Sequence, residues 1–427
     1  MSDLGHVLAT LAAVVAAGMV LGRLMRAVGQ PAVIGEVLAG ILLGPSLLGA
    51  VWPEAMYALI PPATADPGGR VPAAVGAVAQ LGVVLYMFLV GLELDVGHLA
   101  GRVGTAAVVA AVGIVVPFAL GAGVAVGLHP GYAPAGVPVG VFALFLGVAL
   151  AVTAFPVLAR ILADRGLDKT PIGTLALGAA AVGDVAAWCL LALVVGVARA
   201  EVGAAAWVLA GTVAFAAGMV VVGRPLLVRV SRWLDARPGP LPPPAVAGTF
   251  LGILACALAT EAIGIHALFG AFLLGAVLPH DGRLAREFAA TLTTPVTVLL
   301  LPAFFAASGM RTEVGLLGGR ADWLWCGVIV LAATAGKVGG TVAAARLTGH
   351  GWRDAAALGA LMNTRGLVEL IVLNVGLDLG VISRPVFAML VLMALATTAA
   401  TAPALAWLGV GRPRESAAPS LAAVAPA

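Results

Sequence analysis

The sequence predicts an all-α polytopic membrane protein of about 13 transmembrane helices. Three observations carry this prediction. Hydrophobic residues make up 62% of the 427 residues and charged residues only 10%, with a mean hydropathy of +1.10; a soluble domain carries roughly 25% charge. Apolar runs long enough to cross a bilayer follow one another along almost the whole chain. The arginines and lysines between them fall in short loops with a strong bias to alternate sides.

Charged or Pro/Gly-rich breaks place the segments at 4–25, 31–49, 73–94, 103–128, 138–162, 171–198, 202–223, 244–263, 265–280, 288–309, 322–346, 354–377 and 383–410. The first lacks a basic flank, so it reads as a spanning helix and not a cleaved signal. The 56 glycines and abundant alanines let helices approach closely, which predicts a tightly packed bundle. With the N-terminus outside, 16 lysines and arginines face the cytoplasm and 5 face outward, while Lys337 and Arg365 lie within spans. That bias supports 13 spans in the inner (cytoplasmic) membrane, N-terminus out and C-terminus in. Thirteen divides into six, a linker and six, the arithmetic of an inverted repeat.

The apolar segments leave no room for a soluble catalytic domain, so neither enzymatic activity nor a cofactor is expected. Cys189, Cys256 and Cys326 lie inside apolar segments without metal or disulfide spacing. The six histidines form no metal-like cluster, and the basic residues sit in short loops, which argues against nucleic acid as a partner. The expected surroundings are the lipid bilayer.

Asp184 is the one charge in "AAAVGDVAAWCLLALVVG", residues 179–196. A carboxylate at mid-membrane costs roughly 2.5 to 3.5 kcal/mol on insertion scales, which makes a transport role the default expectation. It either locks to a lysine for rigidity or binds a proton and a cation in turn. In "AVTAFPVLAR", Pro156 bends or breaks its helix and Thr153 offers a hydroxyl to the freed backbone; an ordinary proline kink is the competing reading. In "LMNTRGLVEL", Asn363, Thr364, Arg365, Gly366 and Glu369 interrupt another apolar run, with Arg365 and Glu369 spaced to pair. Lys337, in "AATAGKVGGTVAA", is too deep for a loop and needs a partner, for which Asp184 is the obvious choice. Glu36, Gln80, Glu93 and Asp95 are weaker candidates.

Six stretches in order resemble the monovalent cation/proton antiporters of the second family, closest to bacterial relatives of the plant cation/H+ exchangers. They are "GQPAVIGEVLAGILLGPSLLG", "FLVGLELD", "AVTAFPVLARILADRGL", "AAAVGDVAAWCLLALV", "LPAFFAASGMRTEVGLL" and "GALMNTRGLVELIVLNVGLDLGVIS", within roughly residues 10 to 405. The resemblance implies two crossing discontinuous helices and a homodimer in which a core moves, elevator-like, against a dimerisation domain. Core helices are expected near 73–198 and 288–410, dimerisation helices near 4–49 and 202–280. The family's essential aspartate falls on Asp184, its unwound stretches on Thr153–Pro156 and Asn363–Gly366, and its basic residue on Lys337. Where the family often has Asp-Asp or Asn-Asp, this chain has Gly183 before Asp184. One carboxylate implies electroneutral exchange of one Na+ or K+ for one proton, with Asp184, Thr153, Asn363 and backbone carbonyls holding the ion. Lys337, Arg365 and Glu369 would compensate charge, while Pro156, Thr364 and Gly366 break the helices. No fused cytosolic regulatory domain is expected. A proton-uncoupled cation channel and an organic-anion symporter on a similar inverted-repeat fold are the alternatives.

Overall fold

The computed structural model describes residues 2–62, 65–66, 68–93, 103–167, 170–198, 202–265 and 267–410. Among the described residues there is helix and no strand. The chain opens with α1 (Asp3–Ala27) and α2 (Ala32–Leu43), the short α3 (Leu48–Val51) and α4 (Pro53–Leu59), then α5 (Arg70–Glu93) and α6 (Val103–Tyr132). Next, α7 (Val139–Ala151) and α8 (Phe155–Asp164) are the halves of one broken segment, followed by α9 (Pro171–Ala198). A π-helical turn at 219–223 joins α10 (Val202–Gly218) to α11 (Arg224–Asp235), and α12 (Pro243–Ile263) and α13 (Ala267–Val277) follow. A second π turn at 296–300 joins α14 (Arg283–Pro295) to α15 (Leu301–Met310). The chain closes with α16 (Arg320–Leu347), the broken pair α17 (Trp352–Met362) and α18 (Leu367–Asp378), and α19 (Arg384–Trp407).

Each expected segment coincides with helix, and among the described residues ten helices are long and apolar enough to cross a membrane. Two elements overrun their expected bounds. The segment expected at 202–223 continues to Asp235, and the one expected at 288–309 begins at Arg283. Both extensions are amphipathic and carry Arg229, Arg232, Arg283 and Arg286. Arginine is a good helix former whose stem covers apolar surface, so the helix outlasts the apolar run. Pro53 and Pro243 sit in first turns, where a missing N–H costs no helical bond. Gly264 closes α12 in the left-handed region with φ of 100°.

In a bilayer, helix association depends on close packing and polar links more than on burial of apolar surface. A Cβ at Gly91 would lie 2.1 Å from the Phe272 carbonyl oxygen, and one at Gly275 would lie 2.2 Å from that of Phe88. Glycine at both positions lets α5 and α13 touch backbone to backbone. Two packing groups result. One joins α1, α2, α5, α13 and α15, with α12 against α13. The other joins α6, α7, α8, α9, α16, α17, α18 and α19. The helices α5 and α15, expected with the core, pack chiefly in the first group; hydropathy marks a helix without naming its neighbours.

A cavity of about 360 Å³ separates the two groups between α5, α15 and α18. Its polar lining is Gln80, Ser308, Arg311, Asn374 and Asp378. Asn374 Nδ2 donates to Ser308 Oγ at 3.1 Å, and Arg311 pairs with Asp378 at its edge.

Candidate ion-binding site

The two broken segments meet at their breaks. Continuing α7 as helix would drive the Pro156 ring into the carbonyl four residues back, that of Val152. The chain turns extended at Val152 instead, with ψ of 141°, and α8 starts at Phe155 with Pro156 as its second residue. In the other segment, α17 ends at Met362, and Asn363, Thr364, Arg365 and Gly366 separate it from α18. The Ala154 N–H donates to the Thr364 carbonyl at 3.1 Å, and Thr153 Oγ1 donates to the Met362 carbonyl at 3.2 Å. Gly366 is required by proximity: a Cβ there would lie 2.5 Å from Val157 Cγ2.

Broken helices leave carbonyls and amides without helical partners. At the end of α7 two buried cations take the carbonyls. The Arg365 guanidinium donates to the carbonyls of Ala149 at 2.8 Å, Leu150 at 2.6 Å and Val152 at 3.4 Å. Lys337 Nζ donates to the carbonyl of Ala151 and, at 2.8 Å, to that of Gly113 on α6. The carbonyl oxygens of Ala149–Val152, expected to help hold the ion, each accept from Arg365 or Lys337.

Lys337 does not form the expected contact with Asp184; no ion pair joins them among the described residues. The physical reason is the negative end of α7, which offers the ammonium two carbonyl acceptors. Lys337 still acts on Asp184 through space. Arg365 and Glu369 pair at 3.3 Å, as their i, i+4 spacing predicts.

Asp184 stands midway along the 28-residue α9, which packs against both α8 and α17. It is 3% exposed, and neither carboxylate oxygen has a hydrogen-bond partner. The backbone N–H of Phe155, at the start of α8, acts on its carboxylate. A helix N-terminus favours negative charge, so α8 stabilises the ionised carboxylate. Asn363 Oδ1 is also buried without a donor. Thr153 Oγ1 spends its proton on Met362 and keeps its lone pairs. The result is a buried set of oxygen acceptors with a single negative charge, suited to a hard monovalent cation or a proton. None of these residues lines the cavity beside α5. Of the weaker candidates, Gln80 lines that cavity, Glu36 is half-buried on α2, Glu93 ends α5, and Asp95 lies outside the described residues.

Sequence reasoning missed two hydroxyls on α19. Thr398 Oγ1 bonds both the N–H and the C=O of Arg365, and Thr401 Oγ1 reaches Thr364 Oγ1 at 3.3 Å and the Ala360 carbonyl at 3.4 Å. Threonines in an apolar helix usually bond their own backbone, so the sequence carried no signal for this role.

Residues 10–409 match the transmembrane sodium/hydrogen exchanger family. The chain belongs to that family. It is 42% identical over 402 residues to the Na(+)/H(+) antiporter NhaS4 of Synechocystis, covering 93% of this chain and 95% of that one. It is 40% identical to Cation/H(+) antiporter 20 of Arabidopsis thaliana, covering 92% of this chain and 47% of the plant protein. The K(+)/H(+) antiporter 1 of Saccharomyces cerevisiae is 34% identical, with 88% of this chain and 43% of the yeast protein covered. The chain thus spans less than half the length of these plant and yeast relatives. Its fold is that of the sodium proton antiporter MjNhaP1 from Methanocaldococcus jannaschii at pH 8, with a TM-score of 0.67 and 13% identity over 96% of this chain and 98% of that one.

Proposed function

We propose that this exchanger-family chain is a secondary active antiporter that trades one Na+ or K+ for one proton at Asp184, without net charge movement. The observation that carries the reading is a carboxylate buried at mid-membrane, with both oxygens unpartnered, beside two helix breaks that meet. The names of the cyanobacterial, plant and yeast relatives support the substrate class.

The cycle needs only competition. Protonated Asp184 is neutral and crosses one way. Ionised Asp184 takes a dehydrated cation, helped by Asn363 Oδ1 and the Thr153 hydroxyl, and crosses the other way. The empty ionised site is costly to move, because its two oxygens have no donors and an unpaired buried carboxylate is expensive. That cost couples the two fluxes. In this reading the group containing α6–α9 and α16–α19 slides against the group containing α1, α2, α5, α13 and α15, in a homodimer of the inner membrane, N-terminus outside. The 6+1+6 inverted repeat is part of the same reading, supported by the two breaks falling in corresponding helices. Acidic cytoplasm would be relieved by such exchange, which places the chain in pH homeostasis.

Asp184→Asn keeps the shape of the side chain and removes its titration. In proteoliposomes with an internal pH dye it should abolish cation-dependent proton flux while the protein elutes and melts as wild type. Proton flux that persists in the variant would remove Asp184 from the centre of the mechanism. Rapid cation flux in the wild type without proton movement would favour a channel.

A further inference from the structure

One hydroxyl on α19 closes the backbone of the α17–α18 break. Thr398 Oγ1 accepts the Arg365 N–H at 2.9 Å and donates to the Arg365 carbonyl at 2.8 Å. Both side chains are buried. Residues 363–366 are not helical, and this hydroxyl supplies the partners that a missing helix turn would have given.

From Arg365 the contacts run directly into the frame of the ion site. Its guanidinium holds the carbonyls of Ala149, Leu150 and Val152. A guanidinium is a rigid fork, so a small rotation of the Arg365 backbone takes its donors out of register with all three acceptors. Those oxygens would then be free beside the cation site. Asn363, two residues away in the same non-helical stretch, would lose its setting as well.

We propose that Thr398 is a positioning residue for cation selection: by clamping the Arg365 backbone it keeps the α7 carbonyls out of the ion site. The proposal rests on the exchange reading at Asp184. Thr397 provides the internal control. It is equally buried, but its hydroxyl bonds only Met393 and Ala394 carbonyls of its own helix, at 2.9 and 3.2 Å. Thr397→Val removes a buried hydroxyl from α19 without touching the break.

The test uses the full chain in proteoliposomes, with rates normalised to folded protein. The cation concentration for half-maximal exchange and its pH profile are compared among wild type, Thr398→Ser, Thr398→Cys, Thr398→Val and Thr397→Val. Loss of the clamp removes two hydrogen bonds, so Thr398→Val should change the half-maximal concentration by about tenfold or more and displace the pH profile. Thr398→Ser should stay within about twofold of wild type, and Thr398→Cys, a weaker hydrogen-bonding group, should fall between. Thr397→Val should lower only the yield of folded protein. The proposal is overturned if Thr398→Val, or Thr398→Cys where the valine variant does not fold, matches the wild-type concentration and pH profile. It is equally overturned if Thr397→Val shifts them as much. A wild type that folds but moves no protons with Na+ or K+ would overturn the exchange reading itself, and this proposal with it.

Discussion

Gly183 sets the charge stoichiometry of the proposed exchange. A Cβ built there meets no described atom within 4 Å, so the backbone beside Asp184 tolerates a methyl-sized group. Glu369 is paired with Arg365 through one oxygen, so among the described residues at the breaks Asp184 is the carboxylate with neither oxygen partnered. With one proton traded for one cation, the cation gradient at balance equals the proton gradient at any voltage. With two protons per cation, each 100 mV contributes about 2.3 kcal/mol, which is roughly 45-fold in the balanced cation gradient, or roughly 7-fold in the balanced proton gradient because the proton ratio enters squared. The assay finds the imposed pH gradient at which sodium-dependent proton flux reverses, with the membrane potential clamped at zero or at about 100 mV. The wild-type reversal point should be the same at both potentials. Gly183→Asp, which adds a second titrating carboxylate, should shift toward the roughly 7-fold figure for the proton gradient. A wild-type reversal point that moves with voltage would refute the single-carboxylate account. An unmoved Gly183→Asp would show that position 183 does not set the stoichiometry.

Three further outcomes follow from the geometry. Lys337→Ala strands the carbonyls of Gly113 and Ala151, at about 1–3 kcal/mol each. It should lower the melting temperature and displace the pH profile while leaving the Na+/K+ ratio unchanged, and a variant with wild-type melting and pH profile would refute the capping role. Gly366→Ala brings a methyl within 2.5 Å of Val157 Cγ2, so exchange should fall sharply and recover in part when Val157→Ala is added; no recovery would locate the defect elsewhere. Asp66 lies outside the spans, accepts the Val71 N–H at 2.9 Å and sits 3.6 Å from Arg70. Those contacts hold its carboxyl below the usual range, the Val71 amide most of all. A depressed folded value gives stability that is complete above about pH 4 and lost as pH falls through the folded value. Asp66→Asn should therefore flatten the melting temperature between about pH 4 and pH 2, and an unchanged acid slope would count against this contact.

Chain breaks and charges were legible because each has a local signature. Pro156 forbids continued helix, "NTRG" combines poor helix formers, Asp184 interrupts an apolar run, and Arg365 and Glu369 are one turn apart. The partner of Lys337 was not legible. A backbone carbonyl has no letter in the sequence, and the carbonyls it meets are 186 and 224 residues away. Membership of α5 and α15 in one packing group was equally hidden. It depends on glycine contacts such as Gly91 against Phe272, which hydropathy does not record.

The two breaks end differently, and the difference bears on how the proposed cycle avoids moving charge. The C-terminal end of a half-helix carries about half a negative charge. At α7 that end is covered by two cations, Arg365 and Lys337. At α17 it is covered by a neutral hydroxyl, Thr153 on Met362, with Thr401 Oγ1 shared between the Thr397 carbonyl at 3.2 Å and that of Ala360 at 3.4 Å. The α17 end therefore keeps its negative field for an arriving cation, while α8 offers its positive end to Asp184. Among the buried side chains at the breaks, Arg365 pairs with Glu369, so loading Asp184 is the step that changes the charge. Adding either a proton or a monovalent cation to Asp184 raises the total by the same single charge. Both loaded forms then cross with equal charge in opposite directions, so the voltage dependence of one half-cycle cancels that of the other. Placing a carboxylate at Gly183 breaks that equality, which is why the reversal point in the variant is the sensitive test of the scheme.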